Sequence, residues 1–405
     1  MTSKSAQPIA SAPRPPLVAA WTAPVLDAGK VHRELERLWQ EWNQARAGEE
    51  DAALYAYEGA LMRASTLNLI AIAETPSWAD RIEATVRELT EFSPSRTVIL
   101  VRNGRKSAGL SIRVAVYERA QGRGRPAIQL ECVTVAAREG SDDILASVVT
   151  PLLVPELPDF LYVPKGALAG NALLADLVSI ADRLIVDTAS GDDPGGVLRF
   201  LAALTREEKP EPRVTDVVWT RLTPWRQLIA QFFDQEATQP CLDALDDVEI
   251  VYGERDGDGR SGLTAGLLMA GWLATRLGWR APGELVQARD GWRLTLRAGP
   301  RGRSREVLLR LRSTDAAQAR GNLSAVTLVA GIECPGTFCV ERTPNHGIMT
   351  MSETPSMPRV SRLVYGRNYD DAALLSQELR NFGGDLIYEE ALVFAADLWP
   401  EGVMI

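Results

Sequence analysis

Residues 157–204 read LPDFLYVPKGALAGNALLADLVSIADRLIVDTASGDDPGGVLRFLAAL, and the alternation within them decides the fold. Leu157–Val163 is a short apolar run bounded by prolines, which predicts a strand. A helix is expected near Ala172–Ala181. Arg183–Val186 then reads as a short buried strand that ends in Asp187-Thr188. Pro194–Leu204 resumes helical spacing with proline in its first turn. Strands that alternate with helices at this pitch predict α/β layering.

Working towards the N-terminus, Ile112–Tyr117 and Ile128–Val135 alternate as strands, with Cys132 on an inward face. Thr97–Val101 is an apolar run followed by Asn103-Gly104, a strong turn signal. Thr75-Pro76 opens a helix with the stripe Trp78, Ile82, Val86, Leu89 and Phe92. Tyr55–Ile72 is expected to be a helix, and Val31, Leu35, Leu38, Trp39 and Trp42 give another its apolar face.

Towards the C-terminus, Trp225–Asp234 is a helix capped by Thr223-Pro224. Val248–Tyr252 is a strand, and Thr264–Leu277 is an apolar helix stopped by Gly278. Strands are expected at Trp292–Arg297, Glu306–Arg312, Leu323–Ile332 and Thr337–Arg342, with closing helices at Asp370–Asn381 and Leu386–Ala396. The fold class is therefore α/β and α+β. A Pro/Ala/Ser-rich disordered tail covers 1–29. A layered α/β domain with a mixed sheet covers 30–240, and a smaller α+β domain covers 241–405.

The totals narrow the function. With 405 residues, 46% hydrophobic and 24% charged, the chain is globular and too long for one core. A net charge of −9 argues against nucleic acid, whose binding rests on neutralising phosphates. No apolar run is long enough to span a membrane. Four cysteines do not make a secreted disulfide framework, so a cytoplasmic protein is expected. With only His32 and His346, an imidazole-rich metal site is excluded, and a Ser/His/Asp triad would need one of these two.

No P-loop, GxSxG, HExxH or paired CxxC occurs, and no cofactor is implied. The loop Gly253–Gly262 (GERDGDGRSG) lies between a strand and a helix but lacks dinucleotide-loop spacing. Asp256 and Asp258 hint at a calcium loop, yet Leu267 stands where its glutamate belongs. Cys334 and Cys339 flank a Pro335-Gly336 turn. They read either as a local redox pair or as two ordinary thiols, with zinc through His346 a poor third choice. Arg293 and Arg297 share a strand face, as do Arg310 and Arg312. Arg301, Arg303 and Arg305 crowd the connection. Such a hairpin suits a phosphate ligand or an acidic partner, or is a solvated face.

Residues 216–226, DVVWTRLTPWR, and 150–161, TPLLVPELPDFL, closely resemble signatures of the glucose-6-phosphate dehydrogenase assembly protein (OpcA) family. Pro94–Arg96, ECVTV at 131–135, ADRLIVDTA at 181–189 and AGWLATRLGW at 270–279 support the resemblance, which is firmest from about 90 to 280. Tyr162-Val163 stand where the family often has two tryptophans.

The resemblance implies a non-enzymatic accessory protein. It would bind glucose-6-phosphate dehydrogenase, favour its assembled oligomer and raise its activity, in the oxidative pentose phosphate pathway. It also implies redox control linked to thioredoxin, with Cys334 and Cys339 as the candidate pair. Trp225, Arg226, Arg293, Arg297, Arg310 and Arg312 are candidate partner contacts. The alternative is a sugar-phosphate enzyme using the arginine hairpin, with a carboxylate such as Asp187 for acid/base work.

Overall fold

The computed structural model describes residues 17–46, 65–89, 94–105, 109–119, 128–165, 171–191, 193–206, 212–257, 259–299, 305–319, 321–345, 347–355, 357–364, 370–381 and 383–401. The helix expected over 55–64, the loop 121–126, Phe92, Asp258, Arg301, Arg303 and His346 lie outside these residues. The chain forms two compact units that divide between Asp159 and Phe160.

The first unit holds strands β1 (Leu17–Ala23), β2 (Leu67–Ala73), β3 (Ser95–Arg105), β4 (Leu110–Arg119) and β5 (Ile128–Arg138), and helices α1 (Ala28–Arg46), α2 (Pro76–Leu89) and α3 (Asp142–Ser147). Its strands run in the order β1-β4-β5-β3-β2. The pairs β1–β4 and β4–β5 are antiparallel, while β5–β3 and β3–β2 are parallel, so the sheet is mixed. Three expectations change here. Leu17–Ala23 is not tail but a strand pairing Leu17 to Ala23 with Val116 to Leu110, its alternate residues half-buried as an edge strand allows. The segment 67–72 is strand, not helix: a central parallel strand is apolar on both faces, and LNLIAIA is buried throughout. Asn103-Gly104 lies inside β3, not in a turn; a Cβ on Gly104 would meet the Ala136 side chain at 2.4 Å.

The second unit begins with a parallel trio, β6 (Asp159–Val163), β7 (Arg183–Val186) and β8 (Arg213–Asp216). Helices α4 (Ala172–Val178) and α5 (Pro194–Thr205) connect them, as strand–helix alternation predicts. Then follow α6 (Val217–Arg221), α7 (Thr223–Gln231), β9 (Leu245–Gly253), α8 (Leu263–Arg276), β10 (Val286–Ala288), β11 (Gly291–Ala298), β12 (Arg305–Thr314), β13 (Leu323–Ala330), β14 (Gly336–Arg342), β15 (Ile348–Thr354), β16 (Met357–Val364), α9 (Asp371–Arg380) and α10 (Leu386–Leu398). The long sheet runs β10-β11-β12-β9-β13-β14-β15-β16. Only its β9–β12 pair is parallel, so this sheet is mixed too. Helix α8 is buried along most of its length, which explains its apolar sequence on all sides. At Gly271 it approaches α10 so closely that a Cβ would sit 2.2 Å from the Ala391 carbonyl oxygen. Its start is equally tight: a Cβ on Gly262 would meet the Asn322 carbonyl at 2.2 Å. The loop before it closes on itself through Gly262 N–H to Gly253 O and Asp256 N–H to Arg260 O. These groups are spent within the loop rather than turned towards a phosphate.

Candidate functional site

In the second unit a group of charged side chains gathers where the parallel trio ends, the end of such sheets at which ligands bind. Asp187 follows β7 and is 2% exposed on its side chain. Its Oδ2 lies 3.2 Å from Arg260 Nε and 3.6 Å from Arg221 Nη2. Arg260 Nη2 reaches Asp371 Oδ2 at 2.6 Å. Tyr162, at the end of β6, is buried against the same group, and its phenol is pushed up by burial and then by Asp187 and Asp371. Two guanidiniums and two carboxylates balance one another. Asp187, the acid/base candidate, is therefore engaged by two arginines and by the Ala189 N–H, an arrangement that holds structure rather than a mobile proton.

Next to it lies the signature 216–226. Asp216 closes β8 and caps α6 with a bond from Val218 N–H at 2.9 Å, while Thr188 Oγ1 donates to its other oxygen at 2.6 Å. Burial pushes the Asp216 carboxyl from 3.8 up to about 7, although the bonds from Thr188 and Val218 pull the other way. For an acid raised in the folded state, stability is fully present below the unfolded value and is lost as pH rises through the folded one. Stability should thus fall between about pH 4 and 7, on the order of 4 kcal/mol for this group alone. Thermal unfolding across that window should show this slope diminished in Asp216→Asn; an unchanged slope would refute the assignment.

The tryptophans of the signature face inward. Trp219 Nε1 donates to Asp385 at 2.7 Å, and its ring lies 5.6 Å from that of Tyr388. Arg226 stacks 3.4 Å from the Trp219 ring centroid and donates to the Trp219 carbonyl. Trp225 is 2% exposed, with Arg342 5.8 Å over its ring. Trp225 and Arg226 are candidate partner contacts in the sequence; in the fold Trp225 is buried and Arg226 is stacked on Trp219. Thr215 and Thr220 donate to buried Glu378 on α9. The motif thereby fastens β8 and α6 to α9 and α10.

The first unit's signature residues also meet one another. Arg96 is ion-paired with Glu131, Trp39 Nε1 donates to the same carboxylate, and Arg96 Nη1 donates to Leu152 O at 3.1 Å. Asn68 holds the 150–161 segment through Val154 N–H, Val154 O and Asp159. Residues far apart in sequence form one buried tie.

The cysteines differ from expectation. Cys334 is joined to Cys241, 93 residues away, and not to Cys339. The geometry explains the choice. Ala330 pairs with Leu245, and Gly331 N–H bonds Ala244 O, so the turn after β13 lies beside the 3-10 turn Gln239–Leu242 that carries Cys241. Cys339 instead sits within β14, 8% exposed, where Thr327 Oγ1 donates to its sulfur at 3.5 Å. Cys132 is buried, its thiol pushed up to about 12 by burial. Among the described residues no group of three metal-binding side chains occurs. The arginine hairpin forms as expected: Arg293 lies opposite Arg310, Gly291 opposite Arg312 and Arg297 opposite Glu306.

Comparison with known proteins gives these ties a family. Residues 86–203 match the glucose-6-phosphate dehydrogenase subunit N-terminal domain, and 212–392 match its C-terminal domain. The chain belongs to the OpcA family. A Synechocystis sp. (strain PCC 6803) protein named OpcA, for the OxPP cycle, is 25% identical over 74% of this chain and 62% of its own length. A Nostoc punctiforme protein of the same name is 24% identical over 77% of this chain and 66% of its own length. The chain thus spans less than two thirds of these OpcA relatives. Among solved structures, the aldose-aldose oxidoreductase from Caulobacter crescentus aligns with a TM-score of 0.43 at 11% identity, over 82% of this chain and 94% of that one. No helix among the described residues of this OpcA family member is long and apolar enough to cross a membrane.

Proposed function

We propose that this chain is a non-catalytic, cytoplasmic accessory protein that binds glucose-6-phosphate dehydrogenase, favours its active oligomer and activates it. The observation that carries this reading is that both halves match domains described as parts of a glucose-6-phosphate dehydrogenase subunit. The inward-facing signature 216–226 supports the non-catalytic part of it, since the charged cluster beside that motif is internally neutralised. Activation is a population shift: the chain binds one state of the dehydrogenase more tightly than the other. A tenfold effect needs a differential affinity of only about 1.4 kcal/mol.

Redox control acts through Cys241–Cys334. Reduction by a thioredoxin-type dithiol breaks this bond and leaves two thiols here, while the dithiol becomes a disulfide. The bond closes a long loop, for which the chain-entropy model gives about 4–5 kcal/mol. Its loss leaves the turn between β13 and β14 held to the segment ahead of β9 by backbone bonds such as Gly331 N–H to Ala244 O. The oxidised form is the binding-competent one.

The test is dehydrogenase activity against glucose 6-phosphate concentration, with the protein absent, oxidised, or reduced by thioredoxin. A lower apparent KM is expected with the oxidised form only, and Cys241→Ser should behave as reduced protein under both conditions. Activation that ignores redox state keeps the partner and removes the switch. Absence of any effect, or turnover by the purified chain alone, overturns the reading.

A further inference from the structure

Among the described residues, the long sheet of the second unit is covered on one face and open on the other. Gly266 of α8 lies against Ile250 and Leu311, and Phe232 and Phe233 lie against Phe338, all on the covered face. On the open face the register draws a row across the sheet: Arg293, Arg310, Glu249, Thr327, Cys339 and Met351. Its middle is half-buried or buried, with Cys339 near the centre, while its β11–β12 end carries exposed arginines. The alternating exposure of β11 shows that no helix or loop among the described residues lies over that end.

Charge at the β11–β12 end of this face is incompletely matched, while Glu341 and Glu353 stand on the same face towards β14 and β15. Arg310 pairs with Asp247 at 2.6 Å and Arg312 with Glu249 at 3.3 Å. Those pairs use the carboxylates of β9. Arg293 and Arg297 have no acid within ion-pair distance among the described residues, although Glu306 faces Arg297 in register. Arg293 also stands directly opposite Arg310, and like charges so placed destabilise a sheet. Two unmatched guanidiniums, a like-charged cross-strand pair and an adjoining less polar surface form the complement of a protein surface whose rim is acidic.

The geometry points to this open face as the surface on which the dehydrogenase docks, with carboxylates of the partner meeting Arg293 and Arg297. The inference rests on the proposed function and gives it a location. Unlike the 216–226 signature, whose side chains are largely consumed by internal packing, this face leaves charge for a partner. Cys334 lies in the turn that joins β13 and β14 of the same sheet, so its bond to Cys241 anchors one edge of the docking face.

The test compares three full-length proteins: wild type, Arg293→Glu with Arg297→Glu, and Arg33→Glu with Arg138→Glu. The last pair makes the same change in net charge at exposed positions of the first unit. Binding to glucose-6-phosphate dehydrogenase is measured by sedimentation velocity at low and high salt, with circular dichroism and Tm as checks on folding. The hairpin variant should lose at least about tenfold in affinity at low salt and much of its salt dependence, while the matched control stays within about twofold of wild type. Wild-type affinity in the hairpin variant, or equal loss in both variants, overturns the docking face and leaves the activator reading standing. A wild type that binds no dehydrogenase overturns both. A homodimer that the hairpin variant dissociates assigns the face to a second copy of this chain and also overturns the inference.

Discussion

Trp225→Ala is expected to lower the stability of the fold by about 3–5 kcal/mol, the range for a buried tryptophan truncated to alanine. The side chain is almost wholly removed from solvent, and the Arg342 guanidinium lies over its ring. Truncation deletes the apolar contacts of the indole and leaves a cavity that α7 and the adjoining β14 can only partly fill. It also removes the ring beneath Arg342, whose guanidinium is already lowered in pKa by burial. Against a total of about 5–15 kcal/mol for an ordinary domain, the loss approaches complete unfolding at moderate temperature. A shift of the urea midpoint with an unchanged slope checks it. The alternative, a partner contact, gives the opposite pattern: near wild-type stability with weakened dehydrogenase binding. That result would place Trp225 at an interface.

The contrast shows what the sequence could and could not convey. Strand–helix alternation over 157–204 made the parallel trio legible, because apolar period and proline punctuation are local. The hairpin of β11 and β12, with its four arginines on one face, was legible for the same reason. Segment 67–72 was not, since a strand buried on both faces has the composition of a buried helix, and only its neighbours distinguish the two. The Cys241–Cys334 bond was hidden by distance along the chain. The spacing of Cys334 and Cys339 offered a nearer pair, whereas sheet register brings Cys241 close. The signature at 216–226 could be recognised as a motif, but its meaning could not. Asp216, Trp219 and Thr220 find their partners at Thr188, Asp385 and Glu378, none of which sequence proximity would suggest. Motif strength here reports a convergence of long-range ties as much as a contact with another molecule.

Asp187→Ala should be as damaging as the tryptophan truncation, about 3–5 kcal/mol, for an electrostatic reason. It leaves Arg221 and Arg260 facing each other in a site where their side chains are only 18% and 14% exposed. Arg260 retains Asp371, but Arg221 loses its carboxylate, and burying an uncompensated charge costs more than the intact pair contributes. Two further variants separate charge from cavity. Asp187→Asn keeps an acceptor for the Ala189 N–H and removes only the charge, so it should retain most of the loss. Arg221→Ala added to Asp187→Ala should recover part of it, since the orphaned cation goes with its partner; the double-mutant cycle gives the coupling directly. A ligand site predicts otherwise. If Asp187 awaited a substrate, its removal would relieve crowded charge and leave stability within about 0.5 kcal/mol of wild type, as functional residues often do. The position of Asp187 beyond β7 is where α/β proteins place chemistry, and its neighbours decide that here the position serves as a clasp.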